Sequence, residues 1–459
     1  MVEAPKQTPN SGTEEELTLE HLGYQQEFER TFSLLVMVGF SFSIVTCCSA
    51  LSGVFIIGVT AGGPAVMLFG WVGVCVSTFA VALAMAEWFF MLAPSWIARL
   101  MSYITGWLMI TGILAMGSAN SQLYPRPGKL VYPGLVIQRW HTVLVTYAVA
   151  IWAFAVNIWM PHLLNRPSRA ILLWNVASFL IIIIVLLATR NDKQDAAFVF
   201  QDLQNMTGFS SAMATMVGIL QSFFGMCCYD TPSHMNEEIM HPSRNAPLAM
   251  IMSIGMGAVT EFIFLLTLCL CIGKIGTCFM ASMMTTIMMV ASVSLVAEGS
   301  RALFAFARDR GLPFSGLLAT VAQRRMIPIN PNLVAVVIQM AFNSIYFGTF
   351  TGFNTIVSIA TTGFYVSYAL VLLSGLLGHA FGHHIASGTT GPFPSEDPVT
   401  SESMNYTSAA VGIIAFLSIA TWFTTARKQF KGPADIKGLA SLFKKEKPED
   451  AFANLTEEE

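Results

Sequence analysis

The residues best placed to do chemistry lie in one stretch, FFGMCCYDTPSHMNEEIMHPSRNAP, Phe223 to Pro247. It opens as apolar as any lipid-buried helix and then meets Asp230, Pro232, Glu237, Glu238 and Arg244. Charges this close to a long apolar run hold a charged ligand, pair across a helix interface or move a proton. Nothing built for covalent or metal-assisted catalysis accompanies them. The chain has no HExxH, no GxSxG and no His/Asp cluster within an apolar run, and His379, His383 and His384 fall in a polar stretch where solvation is the expected role. The expected chemistry is binding and charge movement, with no catalytic residue, no metal and no organic cofactor.

The elements that must carry these residues follow from composition. Of 459 residues, 54% are hydrophobic and 11% charged, with a mean hydropathy of +0.62. A soluble domain carries about 25% charged residues, and runs of about 20 apolar residues are long enough to cross a bilayer. Eleven such runs are predicted, at 32–59, 64–87, 97–118, 139–160, 169–189, 211–230, 247–273, 276–299, 331–349, 353–378 and 404–425. This is an all-α polytopic membrane protein: a polar N-terminal tail (1–31) without a cleavable signal, a transmembrane domain (32–425), and a tail (426–459) that is basic and then acidic. A net charge of -3 with no basic stripe excludes nucleic acid as a partner, leaving the lipid bilayer and a small molecule. The eight cysteines all sit in or beside apolar segments without zinc spacing and read as small buried apolar residues.

Lys and Arg in short loops set orientation. Arg301, Arg308, Arg310, Arg324 and Arg325 between the eighth and ninth spans mark that segment as cytoplasmic, which places the N terminus inside and the tripeptide Asn205-Met206-Thr207, a glycosylation acceptor, outside. The same alternation puts the basic C-terminal tail outside, against its preference, so one span is missing near GLLGHAFGHHIASGTTGPFPSEDPVTSESMNYT.

The sixth run is expected to break, the alternative being a plain end at Tyr229 with Asp230 already at the interface. Gly225 permits unusual backbone angles, Pro232 removes a donor, and an interrupted helix inside a bilayer is tolerated only where protein or a water-filled cavity surrounds it. The first run carries a matching anomaly, GFSFSIVTCCSALSG from Gly39 to Gly53, with five hydroxyl residues and two glycines. Two interrupted helices five spans apart mark a transporter built from two repeats, whose free helix ends face the substrate.

The sixth-run stretch resembles the signature of the amino acid-polyamine-organocation superfamily, an F-(F/A)-x-x-x-(F/Y)-(D/E) break followed by E-E-x-x-N-P-x-R-x-x-P. GFSFSIVTCCSALSG, Arg139-Trp140-His141-Thr142, FAFARDRGLPFS and SMNYTSAAVG narrow this to a resemblance with the fungal amino acid/choline transporter family, from about Leu22 to Pro433. The resemblance implies a LeuT-type fold of two inverted five-helix repeats, with about eleven spans here where the family has twelve. It implies alternating access to amino acids, 4-aminobutyrate or choline, in the plasma membrane. Carried over residue by residue, the substrate site comprises Ser43, Thr46 and Cys47 of the first break and Phe224, Gly225, Cys227, Tyr229 and Asp230 of the sixth. Glu237, Glu238 and Arg244 match the gating motif, although His241 stands where the family has Asn. Three family segments are absent: one following Met85-Ala86-Glu87, a long external loop between Ile272 and Thr277, and a helix between Thr390 and Pro398. They imply either coding segments lost from the sequence or a degenerate paralogue that binds or senses substrate without transporting it.

Within the spans, Glu261 is the candidate for proton coupling, with burial at a protein-facing surface the alternative. Glu87 and Glu298, near predicted span ends, are expected to be solvated or to pack helices. The fifth span has no Lys, the residue that stands in for sodium in some proton-coupled relatives, and Asn175 is its one strongly polar side chain. Phe40, Phe42, Trp107, Phe224 and Tyr229 are the aromatic faces that a quaternary ammonium would use, with packing the competing role.

Overall fold

The computed structural model describes residues 27–28, 30–45, 49–87, 97–122, 138–160, 168–189, 193–271, 277–322, 327–348 and 352–380. All regular elements there are helices: α1 (Leu34–Ile44), α2 (Ser49–Thr60), α3 (Gly63–Glu87), α4 (Ala98–Gln122), α5 (Arg139–Trp159), α6 (Ser168–Thr189), α7 (Ala196–Gln201), α8 (Ser211–Gly225), α9 (Thr231–His234), α10 (Pro242–Leu270), α11 (Thr277–Arg308), α12 (Ser315–Leu318), α13 (Ile329–Gly348) and α14 (Gly352–Ala380). Ten of the predicted spans have their counterpart here, while 404–425, both tails and the candidate extra span near 390–398 lie outside the described residues.

Among the described residues, eight helices are long and apolar enough to cross a membrane unbroken. The first and sixth crossings are instead divided, α1 from α2 and α8 from α9, at the two places where the sequence interrupts its apolar run. Five crossings per half is an odd number, so the second half enters with opposite orientation to the first. The packing obeys that exchange: α1 lies against α10 as α8 lies against α3, and α5 lies against α11 as α13 lies against α4.

Depth in the bundle separates the helices. The membrane-length window of α11 is 89% buried and that of α6 only 28%, so α11 is the central post and α6 a lipid-facing staff with Leu173, Trp174 and Ile184 pointing outward. Polar side chains pin α11 to its neighbours, with Asn120 Nδ2 donating to Ser292 Oγ at 2.8 Å and Asn157 Nδ2 to the Val293 carbonyl at 3.0 Å. Hydrogen bonds of this kind join membrane helices that gain little from apolar contact alone. α11 also corrects an expected boundary. It continues to Arg308, so Arg301 and Arg308 belong to a helix rather than to a basic loop, and Glu298 sits well inside it.

The α4–α14 crossing brings backbone against backbone. A methyl group added at Gly363 would lie 2.8 Å from Gly112 Cα and 2.9 Å from the Leu108 carbonyl oxygen, neither of which can rotate away. Gly363→Ala should cost about 1–3 kcal/mol through overpacking, lowering the thermal midpoint of the detergent-solubilised protein. An unchanged midpoint would mean that the two helices separate freely.

Candidate functional site

The site begins where α8 stops. Gly225 ends the helix, residues 226–230 form successive turns, and Cys228 takes a left-handed conformation at φ 65°. A non-glycine residue held there costs about 1–3 kcal/mol and persists only where its surroundings enforce it. They do so by satisfying the freed carbonyls with side chains. The Phe223 carbonyl accepts from the Tyr365 hydroxyl at 3.2 Å and from Cys227 Sγ at 3.1 Å. The Cys228 carbonyl accepts from Thr231 Oγ1 at 2.6 Å, and the Asp230 carbonyl from Ser233 Oγ at 2.6 Å. The break is thus wrapped in protein, as an interruption at membrane depth must be.

Asp230 lies at the end of this loop, fully buried, with both oxygens engaged. Tyr368 on α14 donates to Oδ1 at 2.7 Å, and His234 Nε2 lies 3.1 Å from Oδ2. Thr231 Oγ1 also lies 3.1 Å from Glu298 Oε1 on α11. Asp230, His234 and Glu298 therefore form a cluster in which one polar atom from each lies within 4.8 Å of those of the other two. This corrects one expectation, since a His/Asp cluster does exist within the bundle, and it decides between the two roles expected of Glu298, which is fully buried among the helices rather than solvated. The aromatic lining is equally tertiary in origin. Tyr229 meets Tyr368 with ring centroids 4.9 Å apart, and Phe223 meets Tyr365 at 4.8 Å. A Tyr-x-x-Tyr spacing in FYVSYAL puts Tyr365 and Tyr368 on one helix face, the one signal that the sequence offered for them.

The other candidates distribute as follows. Phe224 and Cys227 are each 2% exposed within the break. Glu261 on α10 is fully buried and faces Gly225, where an added methyl would meet its Oε2 at 2.8 Å. Ser43 is tied to the central post, its Oγ 2.9 Å from Ser294 Oγ and 2.6 Å from the Phe40 carbonyl. Thr46 and Cys47 lie outside the described residues. Phe40 stacks edge-on with Phe32, and Trp107 lines a separate apolar cavity of about 350 Å³ with Leu303, Phe314 and Phe342, so neither joins Tyr229.

Below the break stands a charged lock. Arg301 Nε donates to Glu238 Oε1 at 2.6 Å and its Nη2 lies 3.4 Å from Oε2, while Arg308 Nη1 donates to Glu237 Oε1 at 2.5 Å. The segment preceding α1 straps across it: the Thr31 and Phe32 amides both donate to the Glu238 carbonyl, and the Met240 amide donates to the Phe32 carbonyl, each at 2.9 Å. Arg244 is exposed at the start of α10 and does not join the two pairs. His241, at φ 49°, shows why it can replace the family's Asn, since both residue types are enriched in the left-handed region.

This arrangement, a doubly interrupted bundle locked by a Glu-Glu motif, coincides with a match to the amino acid permease family model over residues 32–277 and 270–429. The chain belongs to the amino acid permease family. It is 46% identical over 440 aligned positions, covering 82% of this chain and 97% of the relative, to a protein of Macrophomina phaseolina named for amino acid/polyamine transport. It is 26% identical over 492 positions to an amino-acid permease of rice (90% of this chain, 94% of the relative), and 22% identical over 464 positions to the choline transporter of Saccharomyces cerevisiae (87% and 82%). Each aligned length exceeds the residues that this chain contributes, so the relatives carry internal residues absent here, and the family match falls in two stretches that overlap at 270–277. The permease is an integral membrane transporter of amino acids or organic cations, not an enzyme.

The Glu238–Arg301 pair is nearly sealed, with side chains 10% and 9% exposed. Arg301→Ala would leave a buried carboxylate without its cation and should destabilise the permease by about 3–5 kcal/mol. The double variant Glu238→Gln/Arg301→Gln should recover most of that loss. Thermal unfolding in detergent checks both, and equal losses in the single and double variants would deny the pair its structural weight.

Proposed function

We propose that this permease carries a small substrate bearing an ammonium group by alternating access, the two interrupted crossings holding it while the halves rock. The observation that carries this reading is the charge around the α8 break: Asp230, Glu261 and Glu298 are all fully buried there. Glu261 lies against the C-terminal end of α8, where the helix dipole is already negative. Such a place favours a cation, and the tyrosine faces beside it add the attraction that aromatic rings exert on ammonium groups. Names of relatives that mention polyamine and choline transport agree with it.

Phe224, Gly225, Cys227, Tyr229 and Asp230, with Ser43, Thr46 and Cys47 from the first break, are the proposed substrate contacts. Glu237 and Glu238, with Arg301, Arg308 and the strap at residues 27–33, form the proposed inner gate, and Arg244 is its exposed neighbour. The N terminus faces the cytoplasm in this scheme and the membrane is the plasma membrane. A second reading, a relative that binds substrate without moving it, is favoured by the internal residues that this chain lacks.

Uptake of radiolabelled amino acids, 4-aminobutyrate, polyamines and choline into cells lacking their own permeases separates the two. Saturable accumulation is expected, with Tyr368→Phe raising the apparent KM roughly tenfold or more, since a hydrogen bond to a charged group contributes about 1.5–3 kcal/mol. Saturable binding without accumulation would establish the non-transporting reading. Accumulation of purely anionic compounds alone would overturn the ammonium assignment.

A further inference from the structure

We infer that the Asp230, His234 and Glu298 cluster is the site at which a proton is coupled to substrate movement, with Glu298 its carrier and His234 its exit. The inference rests on the transport reading above and gives it a coupling ion and a location. Two carboxylates and one imidazole share a space in which one polar atom from each lies within 4.8 Å of those of the other two. Asp230 has both oxygens engaged, by Tyr368 and by His234. Glu298 has one oxygen engaged by Thr231, and its second, Oε2, is buried without a hydrogen-bond partner.

Charge decides what Glu298 must hold. Buried carboxylates this close do not both stay ionised without a compensating cation. If His234 is protonated it balances one of them. The next candidate, Arg301, lies three residues on from Glu298 on the same helix and is committed to Glu238 in a two-bond pair. The other titratable groups facing the cluster supply no positive charge: Cys227 and Cys228 from the break, Tyr229 beside them, and Tyr365 and Tyr368 from α14. Glu261 adds a further carboxylate at the opposite end of the break. Glu298 is therefore neutral in this closed conformation, carrying a proton on the oxygen that has no other partner.

The path out follows from exposure. Asp230 and Glu298 are sealed, whereas the His234 side chain is 18% exposed and lies three residues before Glu237 of the lock. Opening the lock wets His234 first. The His234 imidazolium gives its proton to water on the gate side, and the carboxylic acid of Glu298 then passes its own proton to the neutral imidazole, leaving carboxylate and imidazolium. The cycle closes when Glu298 is reprotonated from the opposite side. No lysine is needed on α6, where Asn175 is buried instead.

The full-length permease reconstituted in liposomes, with a pH-sensitive dye trapped inside, provides the test. The probe substrate is whichever of the four radiolabelled classes above is taken up. Substrate exchange without a gradient and accumulation under an imposed pH gradient are measured side by side. The wild type should do both, with dye-reported proton entry accompanying substrate entry. Glu298→Gln should lower gradient-driven accumulation at least tenfold more than it lowers exchange and should abolish the substrate-dependent dye signal. Glu298→Asp should restore the signal with a displaced pH profile, which keeps the test decisive if the glutamine variant folds poorly. No exchange by the wild type would reject the transport reading itself. Exchange that ignores a pH gradient, or that requires a divalent cation and stops with chelator, would overturn the proton assignment alone. A Glu298→Gln variant that keeps its coupled proton signal would also overturn it and move the coupling site to Glu261.

Discussion

Everything at the centre of this permease depends on one constraint: a backbone interrupted inside the bilayer must find hydrogen-bond partners away from water. The break after Gly225 meets it with Tyr365, Cys227, Thr231 and Ser233, side chains that donate to the Phe223, Cys228 and Asp230 carbonyls and add to the turn amides that reach the last two. One of those donors comes from α14, so the break is stable only when α14 is docked. That docking in turn depends on the backbone contact between Gly363 and Gly112. The local strain at Cys228 and the distant packing of two glycines are parts of one arrangement.

The same break concentrates charge. Its loop delivers Asp230 and His234, α11 supplies Glu298 and α10 supplies Glu261, each from a different element and each costly to bury alone. Their grouping gives the centre a demand for positive charge that a substrate ammonium, a proton or both would answer. One helix turn further on, Glu238 and Glu237 have that demand met by Arg301 and Arg308. α11 thus supplies the carboxylate at the centre and both cations at the lock, and a movement of this one helix reaches both places.

Much of the fold was legible because lipid leaves few options. Apolar runs of crossing length had to be helices, and the Gly and Pro residues that disturb two of them mark both interruptions in the sequence itself. Span ends were less legible. Arg301 and Arg308 looked like loop residues because charge usually marks a helix end, yet here burial against glutamates lets the helix continue. The same misplacement hid Glu298. The Glu-Glu motif stood out in the sequence, but its partners did not, being more than sixty positions distant.

What the sequence determined alone is the class of molecule, its helices, the two breaks and the presence of Asp230, Glu237, Glu238 and Glu261 as charges within or beside apolar runs. These follow from hydropathy and from residue types whose backbone limits are local. What only the tertiary structure decided is which charges meet: Asp230 with His234 and Tyr368, Glu298 with Thr231, Arg301 with Glu238. The physical reason is that helices of one hydropathy pattern can pack in many rotations about their axes. Interhelical hydrogen bonds and backbone contact at glycine select one of them.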